Sequence, residues 1–130
     1  MSDLSAIGSD EWIQAFGQAF DGVGLAEVDV SISHAVEKTP AGKVSWTERW
    51  KGGKLESVAL GADKAADIAF TTKWSDFLTY VSGDRTPSVM FMQGRLKMTG
   101  DMRMLLAILP SMDRDGFVSG LARLGAATDR

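Results

Sequence analysis

The side chains best placed to do chemistry are His34 and Glu48, which fall on two neighbouring predicted strands among apolar residues. A hairpin loop over residues 39–43 places His34 opposite Glu48. A loop two residues shorter places His34 opposite Trp46, and Glu48 then meets Ile32. An ionised glutamate on an apolar face is costly unless it is paired. Two interpretations follow: a self-contained His34–Glu48 pair, or a polar spot in a cavity that binds a ligand's polar group or acts as acid and base.

The rest of the composition excludes most other chemistry. The chain has a single histidine and no cysteine, so a metal site built from imidazole and thiolate ligands is nearly excluded. It contains no Gly-x-Ser-x-Gly motif for a nucleophilic serine and no glycine-rich phosphate loop. We therefore predict no catalytic residues, no metal site and no cofactor.

Size and charge limit the partners. The 130 residues suffice for one domain with one core. The net charge of −3 is uneven, with 7 basic and 12 acidic residues over 1–83 but 7 and 5 over 84–130. This balance argues against a nucleic-acid partner and allows transient contact of the C-terminal part with an anionic membrane surface.

Nothing in the chain resembles a membrane or targeting segment. No apolar run reaches the roughly 18 residues of a membrane span, and residues 1–9 lack the pattern of a signal peptide. The absence of cysteine fits a reducing compartment. We predict a cytoplasmic protein that is a monomer or a homodimer.

Hydrophobic periodicity predicts a domain over residues 9–125, with flexible ends at 1–8 and 126–130. Short turns between consecutive strands favour an antiparallel meander. The fold class is α+β: a five-stranded, largely antiparallel sheet covered on one face by about five helices. In chain order we predict a helix over 10–20, strands over 28–37, 43–51, 54–60 and 67–72, helices over 74–81 and 87–92, a strand over 95–99, and helices over 101–109, ended by Pro110, and 113–124.

Methionine is concentrated near the C-terminus, where six of the seven lie between Met90 and Met112. Its flexible, unbranched side chain fills irregular apolar space. The cluster is consistent with ordinary core packing and also with the wall of an adaptable cavity. The four tryptophans allow the same two interpretations, since large aromatic side chains anchor cores and line apolar pockets.

The segment Phe91-Met92-Gln93-Gly94-Arg95-Leu96-Lys97-Met98-Thr99-Gly100-Asp101-Met102 resembles the sterol carrier protein 2 (SCP-2) family. It has that family's short helix, apolar pair before a glycine, basic-apolar strand, Gly-Asp-Met and apolar helix. Residues 67–77 and the Gly83-Asp84-x-x-Pro87 loop also match, so the resemblance covers about residues 10–125. The chain does not end in a peroxisomal tripeptide, and we therefore expect a bacterial-type, stand-alone member of that family.

The resemblance implies an apolar tunnel between the sheet and the helices. Family members bind sterols, fatty acids and fatty acyl-CoA thioesters, and the family has no catalytic residues to carry over. By position, the resemblance assigns tunnel contacts to Phe91, Met92, Gln93, Met98, Met102, Leu105, Leu106 and Leu109, and the inward faces of the predicted elements add Ile32, His34, Trp46, Glu48, Trp50, Phe70 and Phe77.

The sequence thus predicts binding of an apolar small molecule or lipid in an internal tunnel, with transfer of that ligand as a further role. Two alternatives stay open. One is a small enzyme that acts on an apolar substrate with His34 and Glu48 as acid and base. The other is a structural or dimerisation module with a filled core.

Overall fold

The predicted helices and strands are confirmed in a computed structural model, which describes residues 4–130. Two short end strands add to them. In chain order the elements are β1 (Ser5–Ala6), α1 (Asp10–Ala19), β2 (Val30–Thr39), β3 (Gly42–Lys51), β4 (Lys54–Leu60), β5 (Ile68–Lys73), α2 (Trp74–Tyr80), α3 (Pro87–Met92), β6 (Lys97–Gly100), α4 (Met102–Met112), α5 (Asp115–Ala127) and β7 (Thr128–Asp129).

Side-chain caps set the starts of α1 and α4. The Ser9 hydroxyl accepts a hydrogen bond from the Trp12 amide at 3.1 Å. The Asp101 carboxylate accepts from the amides of Arg103 and Met104 at 3.0 and 3.2 Å. Each cap satisfies amides that have no partner inside the first turn of a helix.

The prediction that Pro110 ends its helix is wrong, since α4 continues to Met112. Proline removes one amide donor and frees the carbonyl four residues earlier, here that of Leu106. Leu106 and Pro110 both lie on the exposed face of α4, where water can solvate the freed carbonyl. The helix therefore tolerates the proline near its end.

The five-stranded sheet has the order β4-β3-β2-β5-β6 and is mixed. The strands β2, β3 and β4 form the predicted antiparallel meander, and β5 pairs antiparallel with β6. The fourth predicted strand does not extend the meander, because β5 pairs parallel with β2 on its other side. The largely antiparallel sheet is thus confirmed, with one parallel pair at its centre.

Hydrogen bonds from β2 fix the connection that carries the chain from β4 across to β5. The Ser31 amide donates to the Asp67 carboxylate at 2.9 Å, and the Asp67 amide donates to the Ser31 hydroxyl at 2.9 Å. The Asp63 amide donates to the Ser33 hydroxyl at 3.3 Å. These polar odd-numbered positions of β2 place β5 beside β2, an effect that the local turn pattern does not reveal.

The core lies between the even-numbered face of β2 and β3 and the helices α1, α2 and α5. The rings of Trp12 on α1 and Trp46 on β3 are 4.8 Å apart, and Phe20 lies 5.1 Å from Phe117 of α5. Such aromatic contacts add to the burial of apolar area. The first contact joins α1 to the sheet and the second joins the end of α1 to α5, so together they enclose the space in which His34 and Glu48 lie.

The chain ends meet in a second, two-stranded sheet, in which β1 pairs parallel with β7. The indole Nε1 of Trp12 donates to the Thr128 hydroxyl at 2.9 Å, which joins α1 to β7. The sequence predicted flexible ends over 1–8 and 126–130. Residues 5–6 and 128–129 form paired strands, residues 1–3 lie outside the described part of the chain, and the flexibility of the ends stays a prediction.

Candidate functional site

The β2–β3 hairpin takes the shorter-loop register, with His34 opposite Trp46 and Ile32 opposite Glu48. The His34–Glu48 contact forms nevertheless, because long side chains reach diagonal neighbours on one sheet face. The imidazole Nε2 of His34 lies 3.0 Å from Glu48 Oε2, and both side chains are buried. The strand register is thus the one predicted for the shorter loop, and the His34–Glu48 contact is the one predicted for the longer loop.

Two indoles bind the Glu48 carboxylate in addition to this contact. Trp46 Nε1 donates to Glu48 Oε2 at 3.1 Å, and Trp50 Nε1 donates to Glu48 Oε1 at 3.0 Å. The three β3 residues share a face because strand side chains alternate, so each tryptophan lies two positions from Glu48. An indole can only donate, and therefore both carboxyl oxygens act as acceptors. We call His34, Trp46, Glu48 and Trp50 the Glu48 cluster.

Aromatic rings hold the imidazole in place. The His34 ring stacks on Trp46 with a centroid distance of 4.7 Å and an interplanar angle of 8°. Phe70 of β5 meets the same imidazole edge-on at 4.7 Å. A ring fixed on two sides keeps its Nε2 against the carboxylate.

Tyr80, at the end of α2, brings another polar side chain near the cluster, and its ring centroid lies 6.4 Å from that of His34. Burial raises the pKa of the Tyr80 hydroxyl well above its ordinary value, and the negative charges of Glu48 and Asp113 raise it further. This hydroxyl makes no hydrogen bond within residues 4–130, and because every fully buried polar side-chain atom there has a partner, the hydroxyl keeps some contact with solvent. Because its pKa is raised, the hydroxyl stays protonated at neutral pH. It can then donate a hydrogen bond to a small polar group.

The raised pKa of Tyr80 predicts a loss of stability in base. Above about pH 10, the ordinary pKa of tyrosine, the unfolded chain releases the phenol proton while the folded chain retains it. The folded state then binds more protons, so rising pH favours unfolding. Tyr80 is the only tyrosine, and phenolate absorbance therefore reports on it alone. We expect that absorbance to rise only as the protein unfolds. Tyr80→Phe should move the midpoint of alkaline unfolding to higher pH. An unchanged midpoint in the variant would show that Tyr80 is not the group that destabilises the folded state in base.

A small cavity of about 10 Å³ lies beside the Glu48 cluster. It has room for about one water-sized group, whereas pockets for small molecules enclose roughly 300–1,000 Å³. Side chains of the sheet and the helices therefore fill most of the space where the sequence predicted a tunnel. The lining residues are Phe16, Phe20, Ile32, His34, Trp46, Glu48, Phe70, Phe77, Tyr80, Met112, Phe117, Leu121 and Leu124.

The residues assigned to ligand contact from the sequence divide into three groups by place, and their contact with a ligand stays a prediction. The first group lines the cavity and consists of Ile32, His34, Trp46, Glu48, Phe70 and Phe77. The second is buried or half-buried elsewhere in the core and consists of Trp50, Met98, Leu105, Phe91 and Leu109. The third is exposed and consists of Met92, Gln93, Met102 and Leu106.

The methionine cluster likewise divides. Met90, Met98 and Met112 are buried, and only Met112 of these lines the cavity. Met92 is 82% exposed and Met102 is 49% exposed, because both lie on the outward sides of their helices. Gln93 also faces outward, and its Oε1 accepts from Arg85 Nη1 at 3.0 Å.

Sequence reasoning missed the helical half of the cavity wall. Phe16 on α1 and Phe20 at its C-terminal end are four residues apart, and Phe117, Leu121 and Leu124 on α5 have similar helical spacing. That periodicity identifies a buried face. It does not show which sheet position the face meets, so the wall could not be assembled without the three-dimensional structure.

Comparison with known sequences identifies the fold's relatives. A sequence model of the SCP-2 sterol transfer family matches residues 25–111. The chain belongs to the SCP-2 family. Sterol carrier protein 2 from Homo sapiens is 39% identical over 74 residues, which are 56% of this chain and 13% of the human protein. The SCP-2 match therefore spans about an eighth of the length of that relative.

Solved structures agree on the SCP-2 fold. The conserved hypothetical protein TT1886 from Thermus thermophilus superposes with a TM-score of 0.74 at 16% identity, over 99% of this chain and 97% of that chain. Palmitated SCP2L2 from Aedes aegypti superposes with a TM-score of 0.59 at 22% identity, over 80% and 90% of the two chains. At such identities the likeness shows the fold, and the chemistry of the site depends on this chain's own residues.

Proposed function

We propose that this SCP-2 family member binds an apolar ligand, a sterol-like lipid, fatty acid or fatty acyl-CoA, between the sheet and α5, and transfers it between membranes. Membership in a family of lipid-binding and transfer domains carries the proposal. The enclosed apolar wall around a single polar cluster supports it, because apolar area supplies affinity and a few polar groups set orientation.

Binding requires the interior to open, since the cavity holds only about 10 Å³. The helix α5 supplies Phe117, Leu121 and Leu124 to the wall, and it joins the sheet through these side chains rather than through strand pairing. Movement of α5 away from β2 and β3 enlarges the space without breaking the sheet. We therefore propose α5 as the element that admits the ligand.

The test is a titration of delipidated protein with a fluorescent fatty acid. We expect saturable 1:1 binding. Leu121→Ala removes part of the side chain that a ligand must displace, so its affinity should rise about tenfold, or about 1.4 kcal/mol. Leu60→Ala, at an exposed position on the edge strand β4, is the matched control and should leave affinity unchanged.

The outcome also separates the alternatives. A structural or dimerisation module binds no ligand in either variant. An enzyme that uses His34 and Glu48 as acid and base converts the bound compound, which mass spectrometry of the ligand after incubation detects. Retention of the unchanged ligand supports the binding function. The packing of His34 against Trp46 and Phe70 also favours a fixed structural pair over an acid and base that must approach a substrate.

We propose transient contact with anionic membranes through the outer sides of α3 and α4. These helices contact each other, and the Ser88 amide on α3 donates to the Asp113 carboxylate after α4 at 3.0 Å. Met92 and Leu106 are 82% and 66% exposed on this side. Arg103 lies on the same exposed face of α4 and has no carboxylate within ion-pair distance in the described residues 4–130. Apolar side chains beside a free cation suit an anionic lipid surface.

None of the helices over residues 4–130 combines the length and apolar character needed to cross a membrane. We keep the cytoplasm as the proposed location, on the composition without cysteine.

Sedimentation with vesicles of phosphatidylcholine and phosphatidylglycerol measures the membrane contact. We expect binding that weakens as salt rises, because ions screen the attraction of Arg103 to the lipid. The double change Met92→Ser and Leu106→Ser should abolish most of it, whereas Leu60→Ser should not. Equal binding of the double variant and the unchanged protein contradicts this surface.

A further inference from the structure

The Glu48 carboxylate has unused hydrogen-bonding capacity toward the cavity. A carboxylate offers about four acceptor sites on its two oxygens. Oε2 contacts both Trp46 Nε1 and His34 Nε2, but Oε1 accepts only from Trp50 Nε1 within residues 4–130. Glu48 is also among the residues that line the cavity. One further donor can therefore bind at Oε1 without displacing a protein group.

Tyr80 brings a second free polar group to the same cavity. Its side chain is only 3% exposed, and its hydroxyl makes no hydrogen bond within residues 4–130 while keeping some contact with solvent. A phenol hydroxyl donates one bond and accepts others. Glu48 and Tyr80 both line the cavity of about 10 Å³, which has room for one water-sized group. A ligand hydroxyl matches it, since it can donate to Glu48 and accept from Tyr80.

We propose that the interior selects apolar ligands that end in a hydroxyl over ligands that end in a carboxylate, with Glu48 and Tyr80 as the residues that set this specificity. The inference rests on the proposed function, and it names the class of polar end that the same site takes.

A carboxylate end is disfavoured for two reasons. It has no proton to give to Glu48, and it brings a second negative charge beside the first in an interior of low dielectric constant. The nearest side chain that can carry a positive charge is His34, whose Nε2 already contacts Glu48. An ammonium end is also disfavoured, because the donors around Glu48 leave a single acceptor site for a charge that must lose its water.

The test compares dodecanol, dodecanoate and dodecylamine, which share one chain length, as ligands of the delipidated full chain at neutral pH. Intrinsic tryptophan fluorescence reports binding, since Trp46 lines the cavity. We expect dodecanol to bind at least about tenfold more tightly than either other ligand, the factor of one good polar interaction.

Two variants assign the preference to its residues. Glu48→Gln keeps an acceptor oxygen but removes the charge, so the ratio of dodecanol to dodecanoate affinity should fall to about threefold or less. Tyr80→Phe should weaken dodecanol about fivefold and leave dodecanoate nearly unchanged, because only the alcohol uses the phenol. The thermal unfolding of each variant shows that it is folded. If Glu48→Gln does not fold, the dodecanol and dodecanoate affinities of the unchanged protein and of Tyr80→Phe still test the proposal.

The outcomes separate this inference from the function on which it rests. Saturable binding with dodecanoate equal to or tighter than dodecanol overturns the selectivity and leaves the binding function standing. A dodecanol preference that survives unchanged in both variants overturns the roles of Glu48 and Tyr80. No binding of any of the three ligands, or of the fluorescent fatty acid, overturns the proposed function and this inference with it.

Discussion

Replacing Glu48 by alanine should lower the free energy of unfolding by about 3–5 kcal/mol, the cost of removing one partner from a buried charged cluster. The change leaves the indole donors of Trp46 and Trp50 without their acceptor and removes the carboxylate that His34 Nε2 contacts. A buried donor without a partner retains its full desolvation cost, about 1–3 kcal/mol for each. Equilibrium denaturation in urea measures the loss.

Glu56→Ala is the matched control, because Glu56 lies exposed on the neighbouring strand β4. It should change stability by no more than about 0.5 kcal/mol, as surface substitutions do. Glu48→Gln should fall between the two, since an amide oxygen still accepts from an indole. If Glu48→Ala is as stable as Glu56→Ala, the cluster does not hold β3 to the core, and its tryptophans find other partners.

The sequence predicted only part of the geometry of the Glu48 cluster. Strand alternation correctly put His34 and Glu48 on one inward face, because the period of two is a local property. The register was undetermined, since it depends on where the turn closes. Lys38 adopts a left-handed conformation with φ of 61°, and the pairing shifts between Val36 and Thr39. A local irregularity of this kind is not encoded in the alternation itself.

The order of strands shows the same limit. Each strand was predictable from its own residues, but the parallel pairing of β5 with β2 depends on hydrogen bonds between Ser31 and Asp67, which are 36 residues apart. Likewise, helical spacing marked α5 as amphipathic and could not show that Phe117 lines the same cavity as Tyr80. Local patterns therefore predict elements and their buried faces, whereas the site forms from contacts between elements that are distant in sequence.

Met92 and Met102 show that a motif can fix the position of a residue without fixing the direction of its side chain. The family resemblance placed Met92 and Met102 against a ligand by their position in a motif, and in this chain both point outward. Position along a motif fixes the place of the backbone, but the side of a short helix that faces the core depends on its packing. Their contact with a ligand stays a prediction, and the outward position of Met92 is why we propose the membrane contact for it.

The close approach of α5 to the rest of the core makes Gly125→Ala the second change with a large expected effect. A Cβ at Gly125 would fall on the carbonyl oxygen of Val81, the residue that ends α2, well inside van der Waals contact. The new Cβ and the Val81 carbonyl oxygen are both fixed to the backbone, so relieving the clash requires α5 to move as a whole. We expect a loss of at least about 3 kcal/mol in the free energy of unfolding, at the upper end of overpacking effects.

Gly116→Ala provides a control on the same helix, because a Cβ there meets nothing within 4 Å. Alanine favours the helix over glycine by about 0.5–1 kcal/mol, so this variant should be as stable as the unchanged protein or more so. Thermal unfolding should therefore show a lower midpoint for Gly125→Ala and an equal or higher midpoint for Gly116→Ala. Because the proposed ligand entry requires α5 to leave the sheet, Gly125→Ala should also bind the fluorescent fatty acid faster than the unchanged protein. An equal rate of binding, measured with the destabilisation present, indicates that the ligand enters by another route and that α5 stays in place.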